Sequence, residues 1–243
     1  MSLNYSADYY HSAKNLSLFA VSGLAAVAFC ELLAFILGLG QIINPGLTGG
    51  LWAEEANTSL WLLFQGLVIL LRLPVSIFTI VFFLIWLNRV YKNLAPLRAQ
   101  NTEFSSGWAV GWWFVPFANL VKPFQVMREV WRESDPDFDE NSGFLSNSIV
   151  GSAPRYMSFW WAFWIISNIF SNITGRIYDP EDMRSVEISG YLFVITGIVS
   201  IVAAVLAIMV VRDVTQRQEA RFKNLAVLDE HQPPPPPDFT QPI

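Results

Sequence analysis

Four blocks of this chain, Leu16 to Ile43, Leu60 to Leu87, Arg155 to Thr174 and Ile188 to Val211, hold no more than one charged residue each. A helix needs roughly 20 apolar residues to cross a hydrocarbon core, so each block is long enough to do so. Extended or irregular backbone in such a block would leave its N–H and C=O groups without partners in lipid, whereas a helix satisfies them internally. The pattern predicts an all-α fold: an integral membrane four-helix bundle with spans near residues 16–43, 60–88, 155–174 and 188–211. Composition agrees, since 14% of residues are charged against about 25% in an ordinary soluble domain.

The 243 residues accommodate one membrane domain, residues 16–211. Around it the sequence predicts an N-terminal tail (1–15), a helix projecting from the membrane (212–228) and a disordered Pro-rich tail (229–243). Lys and Arg are unevenly shared among the segments between spans. One lies in the N-terminal tail, seven between Arg89 and Arg155 and four after the last span, against none and two in the other two loops. By the positive-inside rule this places both termini in the cytoplasm. The net charge of -5 argues against a nucleic-acid partner. The lone cysteine, Cys30, excludes an internal disulfide and a cysteine metal site. Phe29 before it is too bulky for a lipoprotein cleavage box, so the first span is expected to be retained.

In that span, Ser22, Ala26, Cys30, Ala34 and Gly38 recur every four positions and share one helix face. Such a stripe lets a second helix approach closely; a pore lining is the functional alternative. The fourth span offers a matching face of Thr196, Ser200, Ala203, Ala204 and Ala207. In the second span Pro74 is expected to kink the helix, and Gln65, Arg72, Ser76 and Thr79 fall on one inward face. An intramembrane charge costs at least about 2.5 kcal/mol on insertion scales and usually finds a partner. At 1.5 Å per residue Glu31 and Arg72 lie at matching depths, about 22 and 24 Å from the same surface. They are expected to pair, either to specify the fold or to coordinate an ion or substrate group.

The stretch Gly107 to Arg132 (GWAVGWWFVPFANLVKPFQVMREVWR) fits neither a plain span nor a soluble helix. Asn119, Lys122 and two prolines spoil it as a span, and a fifth crossing would place Arg128, Arg132 and Arg155 outside together with the basic C-terminal segment. It is expected to be an interfacial or re-entrant Trp-rich helix. Trp108, Trp112 and Trp113 would sit at headgroup level. Leu120, Val121, Phe124, Met127, Val130 and Trp131 would form an apolar face, with Lys122, Arg128, Glu129 and Arg132 opposite. Asn119 is placed to cap this helix and Pro123 falls in its first turn. With Asn88, Arg89 and Asn93, this element's Trp108, Trp112, Trp113, Asn119, Lys122, Gln125 and Arg128 make a candidate site for a lipid headgroup or substrate.

The acidic stretch from Glu133 to Pro154 reads as a solvated loop, because Glu140 and Ser146 occupy positions where a calcium loop needs glycine and glutamate. Asp213 with Arg217 and Glu219 with Lys223 have the spacing of pairs along one helix. Pro233 to Pro237 favour an extended form that an aromatic groove on a ligand domain could bind.

Trp86, Arg89, Tyr91, Asn93 and Leu94, then Trp108 through Pro116, Asn119-Leu120, Pro123, Gln125-Val126, Glu129, Trp131 and Ser134, resemble the pattern of a membrane family known as domain of unknown function 4328. The resemblance covers roughly Leu60 to Val211. It implies a bacterial multi-span protein of the inner (cell) membrane and supplies no activity, cofactor or site.

Both histidines, His11 and His231, lie in terminal segments, which removes His-based triads and zinc sites from the bundle. No phosphate loop or dinucleotide fingerprint is present. The sequence therefore predicts a non-enzyme without cofactor or metal. The expected role is a membrane-embedded binding or scaffold module for membrane lipid or a membrane-protein partner. The alternative is a small transporter or channel using the Glu31 and Arg72 polar face.

Overall fold

The computed structural model describes residues 10–43, 55–100, 102–137, 152–179 and 182–231. Expectations for the first nine residues, the first loop, most of the acidic loop and the Pro-rich tail fall outside these. The described residues form six α-helices: α1 (Lys14–Ile43), α2 (Glu55–Lys92), α3 (Ser106–Gly111), α4 (Lys122–Glu133), α5 (Arg155–Ile177) and α6 (Met183–His231). The fold is all-α.

Helices α1, α2 and α6 contain segments long and apolar enough to cross a membrane, at Lys14–Gly40, Leu63–Lys92 and Glu187–Glu230. Four such segments were expected. Helix α5, at 23 residues, has the length, about 34 Å at 1.5 Å per residue. Its apolar character is diluted by Ser158, Ser167, Asn168, Ser171 and Asn172. Helix α2 accepts Pro74 within its 38 residues. Helix α6 runs unbroken for 49 residues, about 73 Å, so the fourth span and the projecting helix are one rod. It remains helical through residues 229–231, where a tail was expected.

The long helices pack in the order α2, α1, α6, α5. Small residues set the approach. A Cβ added to Gly23 of α1 would meet the Thr79 hydroxyl oxygen of α2 at 2.8 Å, and one added to Gly38 would meet Phe193 of α6 at 3.1 Å. Cys30 and Ala34 of the α1 stripe are buried, as are Ala203, Ala204 and Ala207 of α6. Ser22, at the head of that stripe, is exposed and bonds back to the Phe19 carbonyl at 2.9 Å.

The hydrophobic core sits at one end, here called basal. Trp86, Leu87 and Val90 of α2, with Leu94 in the turn after it, meet Val126, Met127 and Val130 of α4, Met157 and Trp160 of α5, and Val210, Val211 and Val214 of α6. Between α3 and α4 the chain makes two short 3-10 turns, Trp112–Phe114 and Ala118–Leu120. They flank Phe117, whose φ of 62° is uncommon for a residue with a side chain. Phe117 is 87% exposed.

This Trp-rich turn is a wedge between α2 and α5. Trp113 meets Phe83 edge-on at 5.3 Å and Trp161 and Trp164 at 5.8 Å each. The Trp161 indole donates to the Leu120 carbonyl at 2.9 Å. Phe83 and Trp164 each lie about 14 Å along their helices from the basal ends, so the wedge runs beside the bundle rather than beneath it. Helix α4 alone is strongly amphipathic, and Pro123 lies in its first turn.

Several local expectations change. The residue preceding α4 is Val121, and no side chain caps the helix; Asn119 lies two residues too early, inside the Ala118–Leu120 turn. Leu120 and Val121 precede the helix and are exposed rather than on its buried face.

Candidate functional site

Three polar regions stand out, two basal and one distal. The first is a buried network tying α2, α4 and α6 together. Gln218 is fully buried; its amide donates to the Val90 carbonyl at 2.8 Å and the Ser134 hydroxyl at 3.1 Å. Asn93 donates to the Gln218 side-chain oxygen at 3.2 Å and to the His11 carbonyl at 2.9 Å, which also fixes the N-terminal segment. Arg221 donates to the main-chain carbonyls of Leu97 at 2.8 Å and Asp135 at 3.2 Å. Arg217 lies 2.8 Å from the Asp135 carboxylate and 4.3 Å from the centre of the Trp131 ring. The Trp86 indole donates to Thr215 at 3.0 Å.

Glu129, expected on the polar face of α4, is buried. The Tyr91 hydroxyl donates to one of its oxygens and the Glu103 N–H to the other at 3.0 Å, which replaces the water the carboxylate gave up. Glu133, Ser134 and Asp135 are likewise buried rather than solvated loop. The ion pairs expected along α6 are tertiary instead. Tyr156 donates to Asp213, Arg217 turns to Asp135, and Glu219 takes Lys14 at 3.1 Å and Tyr10 at 3.0 Å. Burial first, and then the Glu219 carboxylate, hold the Tyr10 phenol above its ordinary pKa.

The second region is a basal groove of about 770 Å³ lined by Asn88, Arg89, Lys92, Asn93, Ser106 and Gly107, with His11, Leu84, Ile85 and Val110 completing it. Asn88 donates to the Ser106 carbonyl at 3.0 Å, joining α2 to the start of α3. Among the described residues no carboxylate lines the groove, and Arg89 and Lys92 have no hydrogen bond or ion pair there.

The other sequence candidates do not reach this groove. Trp108 packs against Trp112 with the rings tilted at 34° and their centroids 4.7 Å apart. Lys122 lies over the Phe104 and Trp112 rings at 5.5 and 5.8 Å, and Arg128 lies 5.9 Å over Phe124. Gln125 is exposed. Asn119 lines a separate cleft of about 470 Å³ with Trp164, Asn168 and Asn172. The Trp112 and Trp113 indole N–H groups are buried without a hydrogen-bond partner, their rings being committed to the aromatic cluster.

The third region lies in the distal half. Arg72 Nη2 approaches Glu31 Oε1 at 2.6 Å; the Glu31 side chain is 6% exposed and the Arg72 side chain 39%. Arg72 also lines a cavity of about 480 Å³ to which all four long helices contribute, among them Gln65, Thr174, Ser189 and Phe193. Among the described residues no cluster of His, Cys, Asp and Glu is arranged to hold a metal.

A model of the family described as Domain of unknown function (DUF4328) matches residues 50–216. That is more than half of the chain. The chain belongs to this family. No curated protein and no solved structure matches it. The DUF4328 match contains Arg72, the groove cations, the wedge, Glu129 and Asp135, but not Glu31, Gln218 or Arg221. Both the distal pair and the basal network are therefore completed by residues outside the matched region.

Sequence reasoning missed Glu133, Ser134, Asp135, Gln218 and Arg221. A signal existed for the last two: Val211, Val214, Gln218 and Arg221 follow helical spacing, so a polar pair continues a buried apolar face.

Proposed function

We propose that the chain is a non-catalytic, membrane-embedded binding module whose basal groove engages the phosphate-bearing headgroup of an anionic lipid. The observation that carries this reading is the pair of cations, Arg89 and Lys92, that line the groove without a counter-ion among the described residues. Each such cation near an anionic membrane surface contributes about 1 kcal/mol of attraction. Leu84, Ile85 and Val110 give the same groove an apolar side for acyl chains. The adjoining wedge exposes Phe114, Phe117, Leu120 and Val121, a set suited to the headgroup boundary. The distribution of Lys and Arg supports a cytoplasmic basal end, with both termini inside, and the family resemblance supports a bacterial inner membrane.

The test is lipid retention. Full-length protein in nanodiscs of mixed phosphatidylglycerol and phosphatidylcholine should keep phosphatidylglycerol bound on release into detergent. To localise that lipid, a diazirine-bearing phosphatidylglycerol should crosslink peptides containing Leu84 or Val110 of the groove, and Arg89→Gln/Lys92→Gln should lose that crosslink; an unchanged crosslink there would sink the proposal.

A second reading, favoured by the cavity beside Arg72, is a small transporter or channel using the Glu31 and Arg72 face. Single cysteines at Asn119 and Ser76, in a background without Cys30, separate the two under an impermeant thiol reagent. Ser76 lies one turn beyond the ion pair. If it stays silent while Asn119 reacts from the cytoplasm alone, the binding module stands. Labelling of Ser76 from the periplasmic side would reveal a water path and put transport first.

A further inference from the structure

We propose that the distal cavity beside Arg72 is a binding site for an acyl amphiphile whose head is a carboxylate or a phosphate. This site is separate from the basal groove and does not depend on it. Arg72 lies about 26 Å along α2 from Arg89 at 1.5 Å per residue, close to the opposite boundary of a core about 30 Å thick. It falls inside the apolar segment Leu63–Lys92. A charged group partly exposed at that depth cannot face bare hydrocarbon without a heavy cost.

The donor count points to an acceptor. A guanidinium carries five N–H donors. One terminal nitrogen meets Glu31, and no other hydrogen bond or ion pair engages Arg72 among the described residues. The remaining edge, on the exposed side of the pair, needs oxygen atoms. Carboxylate and phosphate oxygens match that fork. A cationic head does not, because the guanidinium offers only donors and positive charge.

The walls point to a chain. Leu37, Val68, Ile69 and Phe193 line the same cavity as Arg72 and give it apolar walls. Helices α2 and α5 both line the cavity and pack little on one another, which leaves it open rather than sealed between helices. Its volume, about 480 Å³, is within the range of small-molecule sites. Two lining glycines, Gly175 and Gly190, have open space where a side chain would stand. Larger residues there would fill the cavity without touching the Glu31 and Arg72 pair.

Photo-crosslinking of the full chain in nanodiscs tests the site, with three diazirine-bearing probes: palmitate, phosphatidylglycerol and an alkyl trimethylammonium of matched length. The expected result is labelling of peptides containing Ile69 or Phe193 by at least one anionic probe. That labelling should fall several-fold in Gly190→Leu and in Arg72→Gln and persist in Arg89→Gln/Lys92→Gln. Palmitate alone would identify a free fatty acid as the source, phosphatidylglycerol alone a membrane phospholipid, and both a site that reads the head and not the chain number. Should Arg72→Gln fail to fold, Gly190→Leu still decides, since it leaves the ion pair intact. Equal labelling by the cationic probe, or labelling indifferent to Gly190→Leu, would overturn the proposal.

Discussion

The two ends of the molecule solve the problem of polar groups in an apolar chain in opposite ways. At the basal end Gln218, Arg221, Glu129 and Asp135 are all buried, and each is met by main-chain or side-chain partners from other elements. At the distal end a single pair, Glu31 and Arg72, is half open beside a cavity. The first arrangement removes freedom and the second leaves donors uncommitted. The basal network is densely cross-linked, with Arg217 Nε and Asp135 Oδ2 left without a hydrogen bond inside it. Dense polar networks rigidify their surroundings; at the distal pair the spare donors stand beside open space. The basal end thus holds the helices together, while the distal pair leaves space and donors beside it.

That contrast can be broken by mutation. Trp86→Ala should be the most damaging change, destabilising by about 3–5 kcal/mol, because a fully buried ring and its bond to Thr215 are lost together; denaturant titration in mixed micelles reads it. Gln218→Leu should cost about 2–3 kcal/mol, since Asn93 and Ser134 lose buried partners. A melting temperature equal to wild type would mean the network is dispensable.

Glu31→Gln should cost less, about 1–2 kcal/mol, because Arg72 is already partly exposed. Exchange of the two charges, Glu31→Arg with Arg72→Glu, should restore the membrane yield lost in either single reversal. Absence of rescue would count against the pairing. Phe117→Ala should change stability by no more than about 0.5 kcal/mol, as the ring touches solvent or lipid rather than core. A larger loss would show that the wedge packs on something more than lipid.

The apolar blocks made the all-α architecture legible in the sequence, because their length and lack of charge leave a helix as the way to satisfy the backbone. The Glu31 and Arg72 contact was legible for a similar reason: two isolated charges at one depth have few alternatives. The basal network was not. Glu129 sits in a basic amphipathic helix and reads as surface until Tyr91, 38 positions away, arrives beside it. Arg217 had a suitable carboxylate four residues earlier, and only the fold of the segment after α4 brings Asp135 closer. Local spacing cannot weigh a near neighbour against a distant one. Nor could it show that Asn119 would fall in a 3-10 turn before α4, since Pro123 fits a helix starting at either place.

Helix α6 gives the two ends a shared mechanical element. Its distal part carries Ser189, Gly190 and Phe193 in the cavity wall, and its basal part carries Gln218 and Arg221 in the network, with no break between them. Asn224 donates to the Pro136 carbonyl at 3.0 Å and Asp229 takes Arg98 at 2.6 Å, so the rod stays fastened to the basal body through its last turns. The cavity wall and the basal anchor therefore share a single helix axis.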